Sequence, residues 1–133
     1  MTVKIYLRAI VSKEGNYLGL FDSNGKVGTN DLTTDVLPGA TVIWKFDCCS
    51  GIKSITRIYF KEKQFHIFKT TPKKRLLCKG YKLHISKDIY QFSIPEDKEY
   101  KEAYAIECIL CNGKELKVDP VIRVPPPGPL PRT

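Results

Sequence analysis

Apolar and polar residues alternate along most of the chain, and this alternation predicts β-strands. In residues 3–10 every odd-numbered residue is apolar, and in residues 40–46 every even-numbered residue is apolar. Side chains of a strand point alternately to its two faces, so each segment would bury one face and expose the other. Apolar residues do not recur at helical spacing over three turns, and we therefore expect no long helix.

Turn signals separate these segments into eight or nine strands. Asn24-Gly25 and Asn112-Gly113 are typical of tight hairpins, and Pro38-Gly39 is typical of a turn. Further strands are expected at 17–21, 32–36, 55–60, 65–68, 87–94, 100–110 and 116–124. This rhythm predicts an all-β fold, an antiparallel two-sheet Greek-key sandwich of the cupredoxin-like or immunoglobulin-like kind. A partly closed barrel is the alternative.

The predicted core consists of the apolar and aromatic residues on the inward faces of these strands. Its members are Ile5, Leu7, Leu20, Val42, Trp44, Phe46, Ile58, Phe92, Tyr104, Ile106 and Val118.

The length of 133 residues suits one domain, which we place at residues 1–124. Residues 125–133 are rich in proline, lack many backbone donors and are expected to form an extended tail. The tail could be a ligand for an aromatic-lined groove, since Pro126 and Pro129 have PxxP spacing, or simply a stiff terminus.

The net charge of +8 is concentrated in one stretch. Residues 52–90 carry +9, whereas residues 1–51 are neutral and residues 91–133 carry −1. The stretch is either a solvated surface or a face for phosphate or an acidic protein. Aromatic residues are interleaved with the charges and could stack on nucleobases or fill a buried strand face: Phe60, Phe65, Phe68 and Tyr81. The candidate binding residues are Lys69, Lys73, Lys74, Arg75 and Lys79.

The five cysteines predict reduced thiols. Their number is odd and the first residues lack the apolar stretch of a secretory signal, so we expect a cytoplasmic protein. Cys108 and Cys111 have the spacing of a zinc knuckle and are the only metal candidates. In a strand, however, they would point to opposite faces. We therefore expect structural thiols, no bound metal and no cofactor.

No catalytic motif is recognisable. The only histidines are His66 and His84, and the chain contains no nucleophile elbow, Gly-rich phosphate loop or HExxH helix. No apolar run approaches the length of a membrane span, so a membrane partner is not expected. The leading hypothesis is a small, soluble, non-catalytic module that binds another protein. The alternative is a nucleic-acid-binding accessory protein that uses residues 52–90.

Two segments resemble the cupredoxin family. In residues 36–46 a Pro-Gly turn leads into a strand that ends near Trp44, and residues 104–111 resemble the terminal hairpin in which a tyrosine-containing strand leads to a Cys ligand. The resemblance implies a Greek-key sandwich that normally holds copper through two His, one Cys and usually a Met. Here Ser50–Lys53 stands where the first His is expected, Cys111 or Asn112 replaces the second, and the only Met is Met1. The resemblance therefore implies the fold without the copper.

Overall fold

The computed structural model describes residues 1–62, 67–68, 70–75, 79–92 and 100–126. Strands account for nearly all of its regular structure, and the only helical element among the described residues is a 3₁₀ turn at Ile89–Gln91. The strands are β1 Thr2–Ser12, β2 Gly15–Asp22, β3 Val27–Thr29, β4 Thr33–Asp35, β5 Thr41–Lys45, β6 Ile52–Phe60, β7 Lys73–Lys74, β8 Tyr81–His84, β9 Lys101–Leu110, β10 Glu115–Val118 and β11 Val121–Arg123. The all-β prediction is confirmed.

Two sheets pack against each other. Sheet 1 has the strand order β3-β2-β1-β5-β8-β7. In sheet 2 the central strand β9 pairs with β6, β10 and β11, and β4 pairs with β11. No helix in the described parts of the chain is long and apolar enough to cross a membrane.

Both sheets are mixed, so the expectation of purely antiparallel pairing is corrected at two places. Strand β1 runs parallel to β5, and β4 runs parallel to β11. Parallel partners cannot be joined by a hairpin and need a long crossover. Strands β2 to β4 lie between β1 and β5 in the sequence and provide that crossover.

Three other local predictions differ from the structure. Residues 87–94 were expected to form a strand, but their described part contains the 3₁₀ turn. Of the expected strand at 65–68, residues 65–66 lie outside the described residues, and 67–68 form a turn. The basic loop that follows Pro72 contains the two-residue strand β7, which pairs with β8 at the edge of sheet 1. Such short elements carry too little alternation to be identified from sequence.

The core lies between the two sheets and contains nine of the eleven predicted residues. Phe46 and Phe92 are only partly buried, although both pack against the core. Phe46 follows the last residue of β5, where the chain leaves the sheet, and Phe92 follows the 3₁₀ turn. The prediction for these two residues assumed that the strands continue farther than they do.

A buried hydrogen bond joins the two sheets at their centre. Trp44 on β5 donates its indole N–H to the hydroxyl oxygen of Tyr104 on β9, with a distance of 3.0 Å between Nε1 and Oη. The rings meet edge to face, with their centroids 5.4 Å apart. Both residues are fully buried, and burial raises the pKa of Tyr104 far above its usual value. The phenol therefore stays neutral over the physiological pH range.

Close backbone approach between β5 and β8 requires glycine at position 80. A Cβ atom there would lie 2.2 Å from the carbonyl oxygen of Trp44, which no other residue type could accommodate without backbone movement. The carbonyl of Gly80 also accepts a hydrogen bond from the amide of Arg75. Gly80 thus brings β8, and with it β7, against the rest of sheet 1.

We predict that Tyr104→Phe destabilises the fold by about 1–3 kcal/mol, because it leaves the buried indole N–H of Trp44 without an acceptor. Urea denaturation measures the change in the free energy of unfolding. Tyr17→Phe is the control, since Tyr17 is half-buried and its hydroxyl makes no hydrogen bond to the described residues. An equal loss in the two variants would mean that the Trp44–Tyr104 bond adds nothing to stability.

Candidate binding face of the six-stranded sheet

The structure describes four of the five predicted binding residues and places them in β7 and the connection that follows it. Lys73 and Lys74 form β7, where Lys73 pairs with Lys82 and Lys74 pairs with Tyr81. Tyr81 points into the core, and its cross-strand partner Lys74 lies on the same side of the sheet. Lys73 is the preceding residue of this edge strand and therefore points to the outer face of sheet 1. Arg75 and Lys79 lie in the connection between β7 and β8, and Lys69 lies outside the described residues.

Lys73 belongs to a row of lysines that crosses the outer face of sheet 1. The strand registers place Lys4, Ile43, Lys82 and Lys73 side by side on β1, β5, β8 and β7. Neighbouring strands are about 4.8 Å apart. Three lysine residues therefore share one line across four strands, and two of them are direct cross-strand neighbours.

No carboxylate balances this row among the described residues. The outward positions of the six strands include no Asp or Glu. The ion pairs between described residues involve Lys26, Lys61 and Arg123, all outside this face. Like charges directly opposite each other in a sheet are destabilising, by a few tenths to about 1 kcal/mol. An anionic ligand would relieve this repulsion.

Exposed aromatic and apolar side chains continue the face beyond the lysine row. The next row contains Val27, Phe21, Tyr6 and Lys45 on β3, β2, β1 and β5. Val27 is 69% exposed, Tyr6 39% and Phe21 37%. The ammonium group of Lys45 lies 5.5 Å from the centre of the Tyr6 ring, in cation–π range. The outer face thus has a basic half and an aromatic half that meet at Tyr6 and Lys45.

A groove of about 340 Å³ opens on the aromatic half, between sheet 1 and the loop that joins β5 to β6. Its walls include three aromatic side chains and two opposite charges: Tyr6, Phe21, Phe46, Arg8 and Asp47. Gly19 on β2 leaves room beside them, since a Cβ there would lie 3.1 Å from Ile10 Cδ1 and 3.2 Å from Phe21 Cε2. The volume is within the usual range of about 300–1,000 Å³ for ligand sites.

Hydrogen bonds hold the loop that forms one wall of the groove. The amide of Ala9 on β1 donates to the carbonyl oxygen of Ser50 over 2.8 Å. Within the loop, Ser50 Oγ donates to the carbonyl oxygen of Asp47 over 2.7 Å, and the amide of Cys49 donates to Asp47 Oδ1 over 3.0 Å. These three hydrogen bonds fix the loop against β1 and restrain its turn.

Of the two alternatives for the aromatic residues in 52–90, the structure supports burial rather than stacking on a ligand. Phe60, Phe68 and Tyr81 are buried in the core, and Phe65 lies outside the described residues. The cations also divide between the sheets: Lys73 and Lys82 face outward from sheet 1, whereas Arg57 on β6 of sheet 2 stacks on Tyr59. Charge counting along the chain could not reveal this division, because the stretch contributes strands to both sheets.

The sequence interpretation missed the residues from the first two strands. Lys4, Tyr6 and Arg8 occupy the outward positions of β1, and Phe21 occupies an outward position of β2. The alternation in residues 3–10 already placed the three β1 residues on one face. Only the pairing of β1 with β5 shows that this face continues into Lys82 and Lys73.

The cysteines differ in burial, and Cys111 lies in the turn that follows β9 rather than in the strand itself. Cys108 is buried and Cys111 is exposed, and burial raises the pKa of the Cys108 thiol to about 11. Cys48 and Cys49 are exposed, with their sulfur atoms 3.7 Å apart. Within the described ranges, no group of three or more His, Cys, Asp or Glu residues is arranged to hold a metal ion. Cys78 and His66 lie outside those ranges.

We predict that iodoacetamide alkylates Cys48, Cys49 and Cys111 much faster than Cys108 in the folded protein. The thiolate is the nucleophile, and at about pH 8 only about one Cys108 thiol in a thousand would be ionised. Peptide mass spectrometry gives the four rates, and the difference should disappear in denaturant. Rapid modification of Cys108 under native conditions would show that β9 opens readily.

No protein-family model matches the chain, and comparison with curated proteins finds no match either. The resemblance to cupredoxins therefore stays a prediction that rests on the two segments described above.

Proposed function

We propose that the chain is a non-catalytic binding module whose outer face of sheet 1 contacts a negatively charged segment of a partner protein. The observation that carries this proposal is the row of Lys4, Lys82 and Lys73 without a carboxylate among the described residues. An acidic segment laid across the strands would neutralise all three charges at once. Complementary charge of this kind increases association rates and selects partners.

The aromatic half of the face supports a protein as the partner. Tyr and Phe are enriched in protein interfaces, where they contribute large contact areas at little cost in side-chain entropy. Tyr6, Phe21 and Val27 are exposed in one cross-strand row beside the basic half. A partner segment with an apolar part and an acidic part would cover both halves.

Single-stranded nucleic acid is a second candidate for the same face. Proteins that bind single strands combine a positively charged groove with aromatic side chains on which bases stack. Tyr6 and Phe21, together with Arg8 and Lys45, meet this description in part. This candidate now depends on the outer face of sheet 1, rather than on the whole of residues 52–90.

A cytoplasmic location remains part of the proposal. Cys48, Cys49 and Cys111 are free and exposed, as expected in a reducing compartment. A disulfide between Cys48 and Cys49 would be strained, because the Cα atoms of adjacent residues are about 3.8 Å apart and disulfides usually need at least about 4.4 Å.

We predict that Lys73→Glu combined with Lys82→Glu weakens binding of the native partner at least tenfold, or about 1.4 kcal/mol, since it would oppose acid with acid. Partners are cross-linked in cells, identified by quantitative mass spectrometry and remeasured with purified proteins. The double charge reversal again places two like charges opposite each other across the strands. The free energy of unfolding should therefore change by no more than about 0.5 kcal/mol.

Lys53→Glu combined with Lys114→Glu is the control, because it changes the net charge equally at exposed residues outside this face. A partner bound by the wild type and by the control, but not by the Lys73/Lys82 variant, supports the proposal. Equal losses of partner binding in the two variants would show that only the net charge matters, and would contradict the proposal. Steeply salt-dependent binding of oligothymidylate that only the Lys73/Lys82 variant loses would favour nucleic acid.

A further inference from the structure

The groove beside the lysine row is lined by aromatic and charged residues and, among the described residues, by no lysine, so the charge of the row does not account for it. Three aromatic side chains surround it, and Arg8 and Asp47 stand at its walls. Tyr6 belongs both to the groove and to the cross-strand row that contains Lys45. A ligand could therefore enter the groove and continue across the basic half without leaving the protein surface.

We propose that this groove is the anchor site for an aromatic side chain in the acidic partner segment, an inference that rests on the proposed function. Binding energy in protein interfaces is usually concentrated in a few aromatic or Arg residues that fill desolvated pockets. An aromatic side chain buries about 150–250 Å² and interacts favourably with other rings edge to face or offset. Tyr6, Phe21 and Phe46 line the groove and provide such surfaces.

The geometry also sets the position of the acidic residues relative to the anchor. From Tyr6 on β1 to Lys73 on β7 the sheet extends over three strand spacings, or about 14 Å. An extended peptide that crosses the strands covers about 3.3 Å per residue. Acidic residues are therefore expected within about four positions on one side of the aromatic residue. Lys45, Lys82 and Lys73 follow one another across these strands.

Asp47 favours a peptide over a nucleobase in the groove. A stacked base would bring its own phosphate close to this carboxylate, and the two negative charges would repel each other. A peptide can instead donate a backbone or indole N–H to Asp47. One oxygen of this carboxylate accepts from the amide of Cys49, and a carboxylate can accept further hydrogen bonds. Arg8 on β1 lines the same groove, and its guanidinium group could pair with an acidic residue of the peptide next to the anchor.

The loop that forms the groove is held before any ligand arrives, which reduces the ordering cost of binding. Its carbonyl at Ser50 bonds to the amide of Ala9 on β1, and its carbonyl at Gly51 accepts from the amide of Cys111, each over 2.8 Å. The loop is thus tied to both sheets. An anchor entering the groove would meet a wall that is already in place.

A random dodecapeptide display library tests the inference directly. The full chain serves as bait, and the same library is selected against the Lys73→Glu/Lys82→Glu variant. We expect peptides enriched only by the wild type to contain Trp, Phe or Tyr followed or preceded by acidic residues within about four positions. The consensus peptide is then synthesised, and its Kd is measured by fluorescence anisotropy.

Groove variants separate the anchor from the charge. Phe21→Ala should weaken the consensus peptide at least tenfold but should have little effect on a peptide whose aromatic residue is replaced by alanine. Leu37→Ala is the matched control, since Leu37 is exposed and does not line the groove. Arg8→Gln removes a wall charge without truncating an apolar side chain, and it should weaken the peptide several-fold even if Phe21→Ala proves unstable.

The outcomes distinguish the inference from the proposed function. Acidic peptides without an aromatic preference, lost only in the Lys73/Lys82 variant, would overturn the anchor and leave the binding face intact. If no acidic sequence is enriched, both are wrong. A twenty-nucleotide oligothymidylate that binds more tightly than the consensus peptide and competes with it would assign the groove to a nucleobase instead, and would also overturn the anchor.

Discussion

The buried hydrogen bond between Trp44 and Tyr104 is the interaction on which the arrangement of the two sheets depends. It joins β5, an inner strand of sheet 1, to β9, the central strand of sheet 2, over 3.0 Å between two fully buried side chains. An indole N–H buried without an acceptor would be costly, so the two strands must face each other at this point. With Trp44 pointing inward, Ile43 and Lys45 must point outward. The burial of Trp44 thus determines which residues of β5 lie on the outer face.

Charge on that outer face works against the stability of the sheet. Lys73 and Lys82 are directly opposite each other, and Lys4 lies in the same row beyond Ile43. Arg123, by contrast, contacts both carboxylate oxygens of Asp35 at 2.9 and 3.2 Å, and this contact lowers the pKa of Asp35. Within the part of the chain that the structure describes, the lysine row has no carboxylate partner, and the proposed binding function rests on this observation.

The groove lies on the proposed binding face, and one of its walls is fastened to both sheets. Its outer wall is the loop after β5, which bonds to β1 through Ser50 and to the end of β9 through Gly51 and Cys111. The loop begins immediately after Lys45, whose ammonium group lies over the ring of Tyr6. A ligand that fills the groove would therefore contact a segment held in place by the same core that holds the lysine row.

The sequence by itself determined the features that depend only on adjacent residues, namely which side chains of a strand point inward. Alternation over residues 3–10 and 40–46 placed Ile5, Leu7, Val42 and Trp44 inside, because side chains in any strand change face at every residue. The same rule placed Cys108 inside, whereas Cys111 is exposed in the turn after β9, where the rule no longer applies. It failed at Phe46, where the strand had already ended.

The tertiary structure alone decided which faces became neighbours. The parallel pairing of β1 with β5 joins residues about forty positions apart, and no local pattern specifies such a partner. This pairing places Lys4 and Tyr6 beside a face that continues to Lys82 and Lys73, whereas the basic stretch of the sequence divides between two sheets. Whether Phe60 and Phe68 stack on a ligand or fill the core was equally open from their spacing. Burial between the sheets settled it, because each strand must turn its apolar side toward the other sheet.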